Sequence, residues 1–341
     1  MIAADAPGRD DAKLFVIRAN GDTRHVPRAA LASLFGRGDL IVANDAATLP
    51  ASLAGTHRNE PIEVRLAAWV SLQDPRRFVA IALGAGDHRT RTEDRSPPPT
   101  LIVGDRLSLG PLAAEVERLL DHPRLFVLRF SGDREAIFRG LARHGRPIQY
   151  AYVPEPLALW DVWTKIAAEP IAFEPPSAGF ALDWRMLAAL RHRGVGVATL
   201  THAAGISSTG EPALDRRLPF DEPYRIPAAT AAAINQAQEE GGRVAAIGTT
   251  VVRALESAAD AHGRVRAGDG VARGRLGRDT PLRVVDAILT GVHQQGESHF
   301  DLIRAFVDDA VLDRASAELA ANGYRTHEFG DSMLIERSPP G

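Results

Sequence analysis

Gly241-Gly242-Arg243-Val244-Ala245-Ala246-Ile247-Gly248-Thr249-Thr250-Val251-Val252-Arg253-Ala254-Leu255-Glu256-Ser257 is the stretch whose reading decides the fold. The glycine pair ends a helical pattern over Ala228 to Glu240. The apolar run that follows does not alternate, so it reads as a strand buried on both faces, and Gly-Thr-Thr then opens a second helix. A helix N-terminus carries unpaired N–H groups and the positive end of the helix dipole. Gly248 would let a ligand approach the backbone there, while Thr249 and Thr250 offer hydroxyls; the simpler use of a threonine is to cap the helix. Arg253, about one turn in, is placed either to hold a carboxylate or phosphate bidentately or to pair with Glu256 on the helix surface.

Outward from this unit, strand and helix patterns alternate in both directions. Leu14 to Arg18 and Asp39 to Ala43 read as strands with a short helix over Pro27 to Phe35 between them. After Pro147 come a helix over Leu182 to Arg191, a strand over Val195 to Leu200, a strand over Leu282 to Leu289, helices over Phe300 to Val307 and Leu312 to Asn322, and a final strand at Met333 to Ile335. The middle of the chain differs. Glu63 to Val70, Arg77 to Ile81, Thr100 to Val103, Arg106 to Leu109 and Leu125 to Phe130 are short β-like segments between turn residues, the texture of an antiparallel barrel or sandwich. Thr90 to Pro99, with its triple proline, reads as an exposed loop within them. The expected fold class is therefore α/β: a mixed α/β body with an inserted small β-barrel-like domain. Residues 1–59 form its first part, 60–147 the insertion and 148–341 the remainder.

Composition narrows the chemistry. The 341 residues are 45% hydrophobic and 24% charged, ordinary for a globular chain, and the net charge of −3 gives no global pull toward nucleic acid. With no cysteine there is no disulfide, thiolate metal site or cysteine nucleophile. The acidic N-terminus (Asp5, Asp10, Asp11) lacks a signal core and no run reaches the ~20 apolar residues of a spanning helix, so the expectation is a cytoplasmic protein with no membrane partner. Neither a P-loop nor a Gly-x-Gly-x-x-Gly turn is present.

Several segments together carry a resemblance. They are Leu40-Ile41-Val42-Ala43-Asn44-Asp45 with Leu49-Pro50-Ala51, Pro176-Ser177-Ala178-Gly179, Gly241 to Ser257, Val284-Val285-Asp286 with His293, and Tyr324-Arg325 followed by Phe329 to Ile335. In this order the chain resembles the S-adenosylmethionine:tRNA ribosyltransferase-isomerase family of queuosine biosynthesis, as a divergent member. The resemblance implies an α/β body with an inserted β-barrel. It also implies transfer and isomerisation of the ribosyl group of S-adenosylmethionine onto 7-aminomethyl-7-deazaguanine in tRNA, giving epoxyqueuosine with adenine and methionine released. S-adenosylmethionine would be the ribosyl donor, tRNA the macromolecular partner, and no metal is called for; a monomer is expected. Departures fall at polar positions: Ala46, Ala47, Ser52, Ala181, Arg217 and Phe220 stand where the family pattern carries polar groups.

On this reading His293, at the end of an apolar strand, suits proton transfer, or is a hydrogen-bonded core or rim histidine. Asp45 would serve as a base or ribose-hydroxyl acceptor, or close an Asx turn. His202 would be a shifted substitute for a family histidine, or a loop residue. These three are the catalytic candidates; Gly248, Thr249, Thr250, Arg253 and Asn44 are the candidates for binding S-adenosylmethionine. Two further readings use the same pocket: a divergent paralogue acting on another acceptor, and a catalytically silent nucleotide- or RNA-binding protein.

Overall fold

The structure, a computed structural model, describes residues 1–8 and 11–338; Asp10 of the acidic N-terminus lies outside the described residues. Its centre is a nine-stranded sheet in the order Gly268–Ala272, Glu222–Ile226, Gly196–His202, Leu40–Asn44, Val244–Ile247, Ala287–Gly291, Ser332–Glu336, Lys13–Ile17, Thr23–Pro27. The four strands from Gly196–His202 to Ala287–Gly291 are mutually parallel. Helices cover both faces of these strands, so Val244 to Ile247 and Ile41 to Ala43 are almost wholly buried, which is why they show no alternation. The helices include Trp184–His192, Ala228–Glu239, Thr249–Ala258 and Asp309–Ala321.

The insertion is a closed six-stranded barrel, Leu112–Leu119, Leu125–Phe130, Arg77–Leu83, Glu60–Trp69, Ser52–His57 and Arg106–Leu109, with every pairing antiparallel. Its first strand, Ser52–His57, lies upstream of the boundary drawn at residue 60. Barrel side chains such as Phe78, Leu66 and Phe130 share one apolar core with Phe173, Ala203 and Ile206 of the body, so the two parts are packed together.

Local readings differ at several places. Thr100–Val103 is not a strand: Asp105 accepts the Ile102 N–H at 2.9 Å and turns the chain, leaving Ile102 and Val103 exposed. Leu282–Leu289 becomes a strand only at Ala287, because Glu256 accepts the backbone N–H groups of Arg283, Val284 and Val285 and so replaces a neighbouring strand. Leu112–Leu119 is an additional strand, and Arg134–His144 an additional helix capped by the Asp133 carboxylate on the Ala136 N–H at 2.8 Å. The loop from Thr90 to Pro99 is anchored: Arg95 is buried and donates to Glu63 at 2.5 Å and to the Gly84 carbonyl at 2.7 Å. No helix among the described residues is long and apolar enough to cross a membrane.

Candidate functional site

The strand Val244–Ile247 delivers the chain to Gly248 at φ +95°, a left-handed conformation that favours glycine. The Gly248 N–H donates to the Leu289 carbonyl at 2.8 Å, holding the turn against the next strand. Among the described residues no side chain caps the helix Thr249–Ala258 that follows. Gly248, Thr249 and Thr250 line a cleft of about 730 Å³ together with Ser177 and Ala178 of the Pro-Ser-Ala-Gly segment. Arg91 to Glu93 from the barrel loop and Tyr150 to Tyr152 enter the same cleft, so the insertion helps to wall it.

His293 also lines this cleft. Its Nε2 lies 2.8 Å from the Thr290 hydroxyl and its Nδ1 is 3.4 Å from the Glu297 carboxylate. Burial pushes the Glu297 carboxyl up, but the hydrogen bond and charge of His293 outweigh it and hold the group below its ordinary range. An acidic partner on one ring nitrogen orients the imidazole toward a proton-transfer role. His299 stacks on His293 with ring centroids 4.8 Å apart; burial, and then the charge of His293, lower it to about 3 and keep it neutral.

The other candidates stand behind the cleft wall. Asn44 is buried; its amide donates to the His202 carbonyl at 2.9 Å and the Thr250 hydroxyl at 3.4 Å, and its carbonyl accepts the His202 and Ala46 N–H groups. It ties two parallel strands to the helix start and does not line the cleft. Asp45 accepts the Thr201 hydroxyl at 2.7 Å, again away from the cleft. His202 is fully buried, and burial, with the neighbouring Arg253 charge, lowers it to about 3, so it stays neutral and out of reach.

Arg253 pairs with neither Glu256 nor an open space. Its guanidinium is held by the Glu222 carboxylate and donates to the Ala272 and Gly274 carbonyls at 3.0 and 3.2 Å. Arg253 also touches the cleft, while its Nη1 and Nη2 groups bond to the protein and tie the helix to the neighbouring strand.

Sequence reasoning missed a group of cleft residues: Tyr150, Tyr152, Glu174, His327 and Glu328. Tyr150 donates to Glu174 and to the Ser208 carbonyl at 2.9 Å, and Tyr152 donates to Glu328. Burial and then the Glu328 charge push Glu174 up to about 7, against the hydrogen bonds from Ser207 and Tyr150. These residues sit in irregular segments with no spacing to announce them. The departures from the family pattern, by contrast, lie outside the cleft: Ala46, Ala47 and Ala181 are core residues, Phe220 packs on the core, Ser52 donates to Glu63 at 2.9 Å and Arg217 pairs with Asp121.

Comparison with known proteins fits this layout. Residues 1–335 match the family described as queuosine biosynthesis protein. The S-adenosylmethionine:tRNA ribosyltransferase-isomerase of Acidiphilium cryptum is 32% identical, over 99% of this chain and 96% of that protein. The protein of the same name from Thermus thermophilus is 31% identical over 96% and 93%. The crystal structure of S-adenosylmethionine tRNA ribosyltransferase from Thermotoga maritima superposes with a TM-score of 0.52 at 22% identity, covering 98% of this chain and 96% of that one, which supports the fold. From the first strand to the last, this chain belongs to the queuosine biosynthesis protein family.

Proposed function

We propose that the protein is an S-adenosylmethionine:tRNA ribosyltransferase-isomerase, moving and isomerising the ribosyl group of S-adenosylmethionine onto 7-aminomethyl-7-deazaguanine in tRNA to give epoxyqueuosine, with adenine and methionine released. The observation that carries this reading is the continuity of the match, 99% of this chain against 96% of a relative of that name. The cleft supports it. The uncapped N-terminus at Gly248-Thr249-Thr250 suits the carboxylate of S-adenosylmethionine. His293, backed by Glu297, is the group placed to take the proton beside the sulfonium. Asn44 and Asp45 position these elements from behind, and Arg253 fixes the helix. The reaction asks for no metal. We take the protein to be a monomer acting in the cytoplasm, where a tRNA substrate is found.

The test is mass spectrometry of nucleosides from deazaguanine-modified tRNA incubated with S-adenosylmethionine, with adenine release followed in parallel. Epoxyqueuosine formed in step with adenine is the expected result. Adenine without modified tRNA would redirect the reading to another acceptor, and neither product would leave a binding protein.

A further inference from the structure

The cleft holds a second set of groups that donor binding does not use. Tyr152 stacks on His327 with centroids 4.2 Å apart and planes 14° from parallel, and on Tyr150 at 5.9 Å and 13°. His327 ends this stack, is exposed, and is held at φ +68°, a costly conformation for a non-glycine residue that the turn sustains through the Gly330 N–H on its carbonyl at 2.9 Å. Against the stack lie Glu174, buried and bonded to Tyr150 and the Ser207 N–H at 3.0 Å, and Glu328, bonded to Tyr152. Among the described residues neither carboxylate has an ion-pair partner. Beside them the Thr326 hydroxyl, 1% exposed and lining the same cleft, has no hydrogen-bond partner among the described residues.

Two uncompensated carboxylates repel phosphate and carboxylate groups and attract a cation, while an aromatic stack that ends in an exposed ring offers a face to a flat ring. A primary ammonium has three donors and no acceptor, which matches a pair of acceptors that lack a cation. We propose that Glu174, Glu328, Tyr152 and His327 form the acceptor subsite, stacking a planar heterocycle and holding its primary amine. This rests on the reading of the acceptor as an aminomethyl-bearing deazaguanine. The proton that Glu174 keeps near neutral pH is the one a bound ammonium displaces.

The experiment is calorimetric titration of the full chain with 7-aminomethyl-7-deazaguanine and with 7-methyl-7-deazaguanine, the same ring without the amine. The amine-bearing ring is expected to bind about tenfold more tightly or better, and Glu174→Gln and Glu328→Gln each to erase that preference while the methyl ring binds as before. Equal affinity of the wild-type protein for the two rings, including none for either, overturns the proposal, as does a preference kept in both glutamine variants. Should those variants unfold on heating, His327→Ala at its exposed position carries the test: both rings weakened about fivefold or more is expected, and both unchanged overturns the stack. An intact amine preference in a protein that modifies no tRNA would fail the reaction and spare the subsite. Modification with unaltered KM for tRNA in both glutamine variants would do the reverse.

Discussion

Arg253 and Glu222 meet inside the protein as a buried ion pair that joins the helix Thr249–Ala258 to the strand Glu222–Ile226, both side chains being about one-twentieth exposed. The second oxygen of Glu222 accepts the Gly205 N–H at 2.6 Å, so the pair also fixes the loop that forms one wall of the cleft. Burial raises the Glu222 carboxyl, opposed by the charge of Arg253. Arg253→Ala would strand that carboxylate, and a loss of about 3–5 kcal/mol in unfolding free energy is expected by chemical denaturation. The double variant Arg253→Met with Glu222→Gln should recover a good part of it. Near wild-type stability together with lost S-adenosylmethionine affinity would instead return Arg253 to the ligand.

His293 and Glu297 form the proton-handling pair, and their substitutions should separate chemistry from orientation. His293→Gln is expected to slow single-turnover adenine release by about 10²–10⁴, the usual worth of a positioned acid or base. Glu297→Gln, which leaves the imidazole in place but removes its acidic partner at 3.4 Å, should cost less and shift the pH–rate profile. A His293→Gln protein that turns over at the wild-type rate would assign the proton to another group.

How much of this was legible follows from what each residue does locally. The strand–turn–helix unit at Gly241 to Ser257 could be read because burial on both faces writes an uninterrupted apolar run and the turn demands a glycine at Gly248. The barrel texture was legible too, although Leu112, Ala114 and Val116 alternating with exposed neighbours announced a further strand that went unread. The partner of Arg253 was not legible. Glu256, three residues on, was the local choice, yet its carboxylate collects three backbone N–H groups from residues 283–285, while Glu222, 31 residues away, takes the arginine. Asn44 is a candidate for binding S-adenosylmethionine and His202 for catalysis through the family resemblance, not through any local pattern. Here they bond to each other's strands, a cross-strand arrangement that only the register reveals. Tyr150, Glu174 and Glu328 converge from segments 24 and 154 residues apart, and no periodicity encodes that meeting.

Gly248 tests the turn itself. A Cβ there would meet Ala178 Cβ at 3.5 Å, an ordinary contact, so space is not the obstacle; the φ of +95° is. Gly248→Ala should therefore cost about 1–2 kcal/mol of stability through backbone strain. It should also weaken S-adenosylmethionine binding, because relief of that strain moves the helix start. Calorimetry beside urea denaturation checks both, and a variant unchanged in each would show that the turn tolerates a side chain.

Glu174 makes stability depend on pH in a direction opposite to most carboxylates. Its folded value of about 7 lies above the 4.5 of the free side chain, chiefly through burial and then through the Glu328 charge. Between these values the folded protein binds more protons than the unfolded chain, so this group removes stability as pH rises. Below about pH 4.5 both states hold the proton and there is no penalty; above about pH 7 the penalty is complete, on the order of 3 kcal/mol. Glu174→Gln has no proton to lose. Its stability relative to wild type is therefore expected to climb between about pH 4.5 and 7 and to level off above, measured by urea denaturation across that range. A difference that stays constant through the window would mean that Glu174 titrates as an exposed carboxylate, and that the cleft holds it as an anion throughout.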